Sequence, residues 1–150
     1  MKPKVVSLFS GCGGLDLGFT QTGLDVIFSS DNWEPAVKSL IKNKKPNQQV
    51  FLGDVADINF KKIKKDHKSI DILIGGPPCP PFSKSRFYRE NLPRAMEDEV
   101  ALHTLSHYFR AIKELRPKSF VFENVPGFVY KPHQEAKEYF VSQIEKLGYK

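Results

Sequence analysis

The segment DILIGGPPCPPFS, residues 71–83, places a single thiol, that of Cys79, between two pairs of prolines. Each proline fixes its own backbone φ and removes an N–H, so this segment cannot continue the preceding apolar run as a strand. We therefore expect a stiff loop that presents the thiol instead of packing it in a core. Stiffness suits a nucleophile, because misplacing an attacking atom by about 1 Å can cost about a hundredfold in rate.

A carboxyl group that could serve this thiol belongs to Glu123, in FVFENVPG. It follows an apolar run that predicts a strand, and if that strand neighbours the one before Cys79, the two side chains lie together. A thiol beside a carboxyl forms a nucleophile with an acid or hydrogen-bond partner. The alternative for Glu123 is a cap or a salt bridge. We expect Asn124 to hold the loop by bonding backbone groups.

A glycine-rich turn, SGCGG at residues 10–14, follows a third apolar run. Its glycines let the backbone approach a ligand closely, and the helix predicted after them offers free amides. Asp31 and Asp54 each follow a further apolar run. The carboxylate of Asp31 suits a ribose diol, and that of Asp54 suits an adenine amino group. The alternative is that both aspartates are caps or turn residues. Cys12 within the turn is expected to be inert or merely to line it.

These residues are positioned by elements that alternate along the chain. Strands are predicted at residues 4–9, 24–30, 49–53, 70–76 and 118–125. The alternation with helices predicts an α/β fold with a doubly wound, mostly parallel sheet. Such sheets bind ligands outside the carboxyl ends of their strands. Each of the functional groups named above follows the carboxyl end of a predicted strand. We therefore expect all of them along one rim of the sheet.

Helical patterns fill the intervals between the strands. Helices are predicted to begin near residue 15, to cover residues 31–44 and 97–117, and to lie around residues 140–147. Asp31 or Asn32 is the expected N-cap of the second helix, and Gly148 the expected C-cap of the last. The lysine-rich residues 61–68 predict a solvated helix or loop.

Length and composition exclude several classes of protein. The chain has 150 residues, with 40% hydrophobic and 27% charged side chains, which is typical of one soluble globular domain. Its apolar runs are too short to cross a bilayer, and the N-terminus lacks the features of a signal peptide. We therefore expect a cytoplasmic protein with reduced cysteines. The net charge of +6 is compatible with a polyanionic partner.

Four segments in order, SLFSGCGGLDLGF, GDV, GGPPCPPFS and FENVPGF, resemble the successive motifs of the cytosine-5 DNA methyltransferases. The resemblance spans nearly the whole chain, although Pro80 stands where that family usually has glutamine. It implies that residues 1–150 are the N-terminal part of a Rossmann-like catalytic domain. The family's later motifs, its target-recognition domain and its last strands are absent. We expect a fragment or a subunit that needs a second polypeptide, because an incomplete sheet exposes an unpaired edge.

The resemblance also implies a reaction. Cys79 would attack C6 of a cytosine flipped out of double-stranded DNA, while Glu123 bonds N3 and the exocyclic amine. The methyl donor would be S-adenosylmethionine, with S-adenosylhomocysteine as product, Asp31 on its ribose and Asp54 on its adenine. The other residues implied at the cofactor are Phe9, Ser10, Gly11, Gly13, Asn32, Val55 and Pro78. Those implied at the DNA are Ser83, Arg86, Asn124 and Val125.

Two other functions stay open at this point. The same chemistry could act on tRNA, because an RNA-methylating branch shares these motifs. Alternatively, the chain is a catalytically silent nucleotide-binding module that regulates a partner. Arg86 and Arg89 either reach phosphates or are solubilising loop residues. His103 and His107 share a helix face, but no third ligand is evident, so we expect no metal site.

Overall fold

The computed structural model describes residues 2–78 and 98–150. Cys79, Ser83 and Arg86, three of the predicted site residues, lie outside the described residues. Within them the elements run β1 (Lys4–Leu8), α1 (Gly14–Gln21), β2 (Asp25–Asp31), α2 (Glu34–Asn43), β3 (Gln49–Leu52), α3 (Phe60–His67), β4 (Ile72–Gly75), α4 (Glu99–Leu115), β5 (Ser119–Phe122) and α5 (Gln134–Lys146). Short 3₁₀ turns lie at Val55–Asp57, Pro126–Val129 and Lys131–His133.

The five strands form one parallel sheet in the order β3-β2-β1-β4-β5. β1 pairs with β2 on one side and β4 on the other, and β4 pairs with β5. The predicted α/β fold with a parallel sheet is confirmed, as is the expected neighbourhood of the fourth and fifth strands. Because all strands are parallel, their carboxyl ends share one rim, and β3 and β5 form the two edges.

The three central strands supply the core of the sheet. Val5, Val26 and Ile74 come from β1, β2 and β4 and form one buried cluster, against which Leu15 and Phe19 pack. Complete burial of a Val or Ile side chain stabilises the fold by about 1.5–3 kcal/mol. Strands buried in this way read as continuous apolar runs, which explains why the sequence predicts them well.

Some details differ from the sequence predictions. The N-cap of α2 is Trp33, which makes no side-chain cap hydrogen bond, so the predicted Asp31 or Asn32 cap is wrong. The carboxylate of Asp31 instead accepts a hydrogen bond from the backbone N–H of Trp33. The C-cap of α5 is Leu147, and Gly148 follows it with a left-handed φ of 85°.

The sequence predicts either a solvated helix or a loop for residues 61–68. They belong largely to a helix, α3, because Phe60 and Ile63 are buried on one of its faces. The side chain of Asn59 caps this helix by accepting a hydrogen bond from the Lys62 N–H at 2.9 Å. The lysines around them alternate with these apolar residues and are mostly exposed, as a solvated face requires.

Two compact units make up the chain: Met1–Gly76 with Ala111–Glu123, and Pro77–Arg110 with Asn124–Lys150. The first contains the sheet. The second has an aromatic cluster in which Phe140 lies 5.4 Å from Phe109 and 5.9 Å from Phe128, measured between ring centroids. In the part of the chain that the structure describes, no helix combines the length and apolar character that a membrane span requires.

The turn before α1 generates a stability prediction. Gly13 has a φ of 91°, and a Cβ built on it lies 2.8 Å from Cδ2 of the buried Leu40. We expect Gly13→Ala to lower the free energy of unfolding by about 1–2 kcal/mol for the left-handed backbone and by about 1–3 kcal/mol more for overpacking. Urea denaturation measures the loss.

Gly23→Ala is the matched control for this prediction. Gly23 has nearly the same φ, 89°, but no atom lies within 4 Å of its built Cβ. It therefore reports the backbone cost alone. Equal losses in the two variants would show that Leu40 accommodates the added methyl group and that packing at Gly13 is not tight.

Candidate active site

The glycine-rich turn leaves β1 with an unusual backbone. Gly11 and Gly13 have φ values of 54° and 91°, and Phe9 also lies in the left-handed region at 54°. The N–H of Gly13 donates to the carbonyl of Ser10 at 2.9 Å, which closes the turn. No atom lies within 4 Å of a Cβ built on Gly11, so a ligand can approach the backbone there.

The Asp31 carboxylate connects this turn to the end of β2. One oxygen accepts from the N–H of Gly11 at 2.8 Å, and the other accepts from the N–H of Trp33 at 2.9 Å. Asp31 is thus a turn residue, as the alternative interpretation held, but it holds together two predicted parts of a ligand site. Each carboxylate oxygen retains a further lone pair. The Trp33 side chain is 62% exposed, and its neighbour Asn32 is also exposed.

Asp54 follows β3 and has a similar structural contact. Its exposed carboxylate accepts from the N–H of Ala56 at 2.7 Å and so caps the 3₁₀ turn at Val55–Asp57. Val55 itself is buried. The cap uses one of the two carboxylate oxygens.

A buried carboxylate beneath the turn was not anticipated from the sequence. Asp16, in the first turn of α1, is only 6% exposed. Ser7 donates to one of its oxygens, while Ser29 and Gln48 donate to the other. Burial raises the pKa of Asp16, although the hydrogen bonds from the two serines lower it. The sequence did contain a sign of this buried acid. Asp16 lies between two apolar helix residues, directly after the glycine-rich turn.

This buried network fixes the hydroxyl of Ser10. Because an ionised carboxylate only accepts, Ser7 gives its single hydroxyl hydrogen to Asp16, and its oxygen must accept from the Ser10 hydroxyl at 2.8 Å. The Ser10 oxygen accepts in turn from the N–H of Ser30. Ser10, one of the predicted cofactor residues, is therefore buried with its hydrogen directed inward.

Glu123 lies at the end of β5 beside the end of β4. Its N–H donates to the carbonyl of Gly75 at 2.9 Å. A Cβ built on Gly76 lies 2.6 Å from Oε2 of Glu123, so the carboxylate occupies the space that a side chain at position 76 would need. The acid expected beside the cysteine loop thus lies against the strand that leads into that loop. Cys79 follows Gly76 by three residues in the sequence.

Asn124 in the second unit holds the carbonyl of Pro77, at the start of the cysteine loop. The side-chain amide of Asn124 donates to the carbonyl of Pro77 at 3.4 Å, and its oxygen accepts from the N–H of Val125 at 2.8 Å. Asn124 therefore bonds backbone groups, as expected. Thr104 on α4, which the sequence did not single out, makes a long contact of 3.5 Å to the carbonyl of Pro78.

The two histidine rings on α4 meet edge to face. The rings of His103 and His107 have centroids 4.6 Å apart, and Arg110 Nε donates to Nδ1 of His107 at 2.9 Å. An Nδ1 that accepts this hydrogen bond has no lone pair left for a metal. Among the described residues, no three His, Cys, Asp or Glu side chains come together as potential metal ligands.

Comparison with known proteins gives consistent matches. The family described as C-5 cytosine-specific DNA methylase matches residues 3–150. Type II methyltransferase M.NgoPII of Neisseria gonorrhoeae is 32% identical, with 97% of this chain and 40% of that protein covered. Type II methyltransferase M.SacI of Streptomyces achromogenes is 34% identical with the same two coverages. The chain thus spans about 40% of the length of these relatives.

Solved structures match to a similar extent. A structure described as that of a DNA modification methyltransferase encoded within an E. coli prophage gives a TM-score of 0.74 at 30% identity, with 97% of this chain and 38% of that chain covered. Spodoptera frugiperda DNMT2 gives a TM-score of 0.68 at 21% identity, covering 97% of this chain and 41% of that chain. At this identity, the second match shows only that the two chains share a fold.

The buried network predicts how stability depends on Asp16 and on pH. Asp16→Ala removes the acceptor of the buried Ser7 and Ser29 hydroxyls, while Gln48 keeps its hydrogen bond to Ser29. Each buried donor left unsatisfied costs about 1–3 kcal/mol. Because the folded-state pKa of Asp16 is raised above 3.8, the folded state binds its proton more tightly than the unfolded state does. The advantage of the wild type over the variant should therefore be largest at low pH and shrink as pH rises past 4.

Urea denaturation of both proteins at pH values from about 3.5 to 7 measures this difference. Asp57→Ala, at an exposed carboxylate, is the matched control and should change stability by less than about 0.5 kcal/mol. A wild-type advantage that grows with pH would contradict the raised pKa.

Proposed function

Because the chain belongs to the C-5 cytosine-specific DNA methylase family, we propose that it provides the catalytic part of a DNA methyltransferase that methylates C5 of cytosine. The observation that supports this most is the Glu123 carboxylate at the end of β5, against the strand end that leads to Cys79. The proposed activity is that of the assembled protein, in which a further segment, on the same chain or on a second polypeptide, completes the catalytic domain.

The glycine turn and its neighbours fit S-adenosylmethionine. The turn is open at Gly11, where the backbone can approach a ligand, and the Asp31 carboxylate beside it retains lone pairs for ribose hydroxyls. The Asp54 carboxylate is proposed to lie at the adenine amino group, and the exposed indole of Trp33 offers a stacking surface. The remaining residues proposed at the cofactor are Phe9, Ser10, Gly13, Asn32, Val55 and Pro78.

The chemistry of the cofactor is the supply of a methyl group, and S-adenosylhomocysteine is its product. The residues of this chain activate cytosine to accept the methyl group. The Cys79 thiolate adds to C6, which moves an electron pair towards C5, the carbon that forms the new bond. Glu123 bonds N3 and the exocyclic amine, which stabilises the charge displaced into the ring. Loss of the C5 proton then expels the thiolate and restores the aromatic ring.

The proposed substrate is double-stranded DNA with its target base flipped out of the stack. Ser83 and Arg86, which follow Cys79 in the sequence, and Asn124 and Val125, which follow Glu123, are the residues proposed to contact it. Arginine in such a segment suits phosphate oxygens, which fix the position of the protein on the duplex.

Covalent trapping tests the proposed function. Duplex DNA and tRNA carrying 5-fluorocytosine are each incubated with S-adenosylmethionine and the chain, alone and with the segment that completes the domain. Because fluorine cannot leave as a proton does, an adduct on DNA should accumulate, be visible on a denaturing gel and disappear in Cys79→Ala. Cys12→Ala, at the other cysteine, is the control and should retain the adduct.

Two outcomes of trapping contradict this proposal. An adduct only on tRNA would assign the same chemistry to RNA. No adduct on either nucleic acid, with the completing segment present, would favour a silent nucleotide-binding module.

Gly76 provides a second test, aimed at the position of the carboxylate. Gly76→Ala places a methyl group 2.6 Å from Oε2 of Glu123, which the flexible glutamate avoids by moving. We expect methyl transfer to fall about tenfold or more, with stability changed by less than about 1 kcal/mol. Gly18→Ala, in α1 with open space around its built Cβ, should leave the transfer rate unchanged. If Gly76→Ala and Gly18→Ala transferred the methyl group at equal rates, Glu123 would not belong to the proposed site.

A further inference from the structure

The amino ends of the strands form a rim that is rich in basic side chains. We define the basic rim as Lys2, Lys4, Lys44, Lys45, Lys68, Arg116 and Lys118. These residues precede or begin β1, β3, β4 and β5. At the carboxyl ends of β2, β3 and β5 lie the acidic side chains Asp31, Asp54 and Glu123. The two ends of the sheet therefore carry opposite charge.

Contacts within the first unit hold several of these cations at the strand starts. The Lys44 ammonium donates to the carbonyl of Gln48, the residue before β3, at 3.2 Å. The Lys4 ammonium donates to the carbonyl of His67, at the end of α3, at 2.7 Å. The Lys118 ammonium lies 2.7 Å from Oδ1 of Asp71, directly before β4. Charges from both edges and the centre of the sheet thus share one rim.

Acidic residues at this rim do not balance the cations. Within the five residues before each strand and at its first residue, the carboxylates of the described residues are Asp25, Asp71 and Glu114, against seven cations. Asp71 lies between two cationic residues: it accepts from the backbone N–H of Lys4 and pairs with Lys118, which lowers its pKa. Desolvation lowers the pKa of His67, and the Lys4 ammonium lowers it further.

The rim lacks the features of a protein interface. No large apolar side chain is exposed among the described residues 2–4, 23–25, 44–49, 68–72 and 116–119. Protein interfaces usually centre on buried aromatic or arginine anchors in an apolar patch. A phosphate backbone needs only cations and hydrogen-bond donors, and these are what the rim offers.

The dimensions of the rim suit a duplex. Five strands spaced by about 4.8 Å make a rim about 19 Å wide. Double-stranded DNA carries one negative charge per about 1.7 Å of its axis, so this width faces a length of duplex with roughly ten phosphates. The rim lies about 16 Å, the length of the five-residue β1, from the opposite ends of the strands.

We propose that the basic rim is a second DNA-binding surface, which binds the phosphate backbone of duplex DNA without reading its sequence. The proposal rests on the proposed function in taking duplex DNA as the macromolecular partner. Because the rim lies at the end of the sheet opposite Glu123, it holds a segment of DNA other than the one whose base is methylated. Its effect is to keep the enzyme on DNA between target sites.

The test uses a duplex that contains no cytosine. A fluorescently labelled duplex of about 20 base pairs of poly(dA)·poly(dT) cannot present a target base, so its binding to the whole chain is independent of the methylation reaction. Fluorescence anisotropy at several salt concentrations gives the dissociation constant and its salt dependence. In the triple variant Lys2→Gln, Lys68→Gln, Arg116→Gln, the slope of log K against log salt should fall by about two to three, since each lost contact removes about 0.9.

The control variant removes the same charge elsewhere. Lys38→Gln, Lys137→Gln, Lys146→Gln neutralises three exposed lysines on the helices and should leave the slope within about 0.5 of the wild type. Urea denaturation checks that both variants remain folded. Equal losses in the two variants, no binding of the duplex by the wild type, or equally tight binding of polyglutamate would each overturn the proposal. Trapping on 5-fluorocytosine DNA reports separately on the proposed function.

Discussion

The parallel pairing of β1 with both β2 and β4 is the constraint on which the candidate site depends. Parallel strands all end at the same rim, so the glycine turn after β1 lies near Asp31 after β2, and β4 ends beside Glu123 after β5. The helices α1, α2 and α3 return the chain to the opposite rim after β1, β2 and β3. A sheet of antiparallel hairpins would distribute these residues over two rims and separate the turn from both acids.

Buried polar groups beneath the glycine turn set the orientation of the groups in that turn. Asp16, Ser7 and Ser29 replace apolar contacts where α1 packs on the first two strands, and burying a carboxylate there is costly. The network nevertheless gives each hydroxyl hydrogen one direction, from Ser10 through Ser7 to Asp16. An apolar cluster of the same size would fill the space without setting the orientation of any group in the turn.

The sequence was informative where local rules apply and less so where distant residues meet. Apolar runs predict all five strands, and glycine chemistry predicts the turn after β1. The Gln48 contact with Asp16 joins residues 32 apart, and the Thr104 contact with Pro78 joins residues 26 apart. Neither pairing leaves a local pattern. The cap of α2 was misassigned because Asp31 is bound to Gly11 and Trp33 instead, a choice set by tertiary contacts.

The hydrogen bond from Gly11 to Asp31 has a consequence for affinity. Glycine adds flexibility to an unfolded chain, and a loop of glycines that ordered only on binding would lose that entropy at the moment of association. Here the carboxylate already fixes the amide 20 residues earlier in the chain. The proposed cofactor would therefore meet a preorganised surface, and more of its interaction energy would remain as net binding free energy.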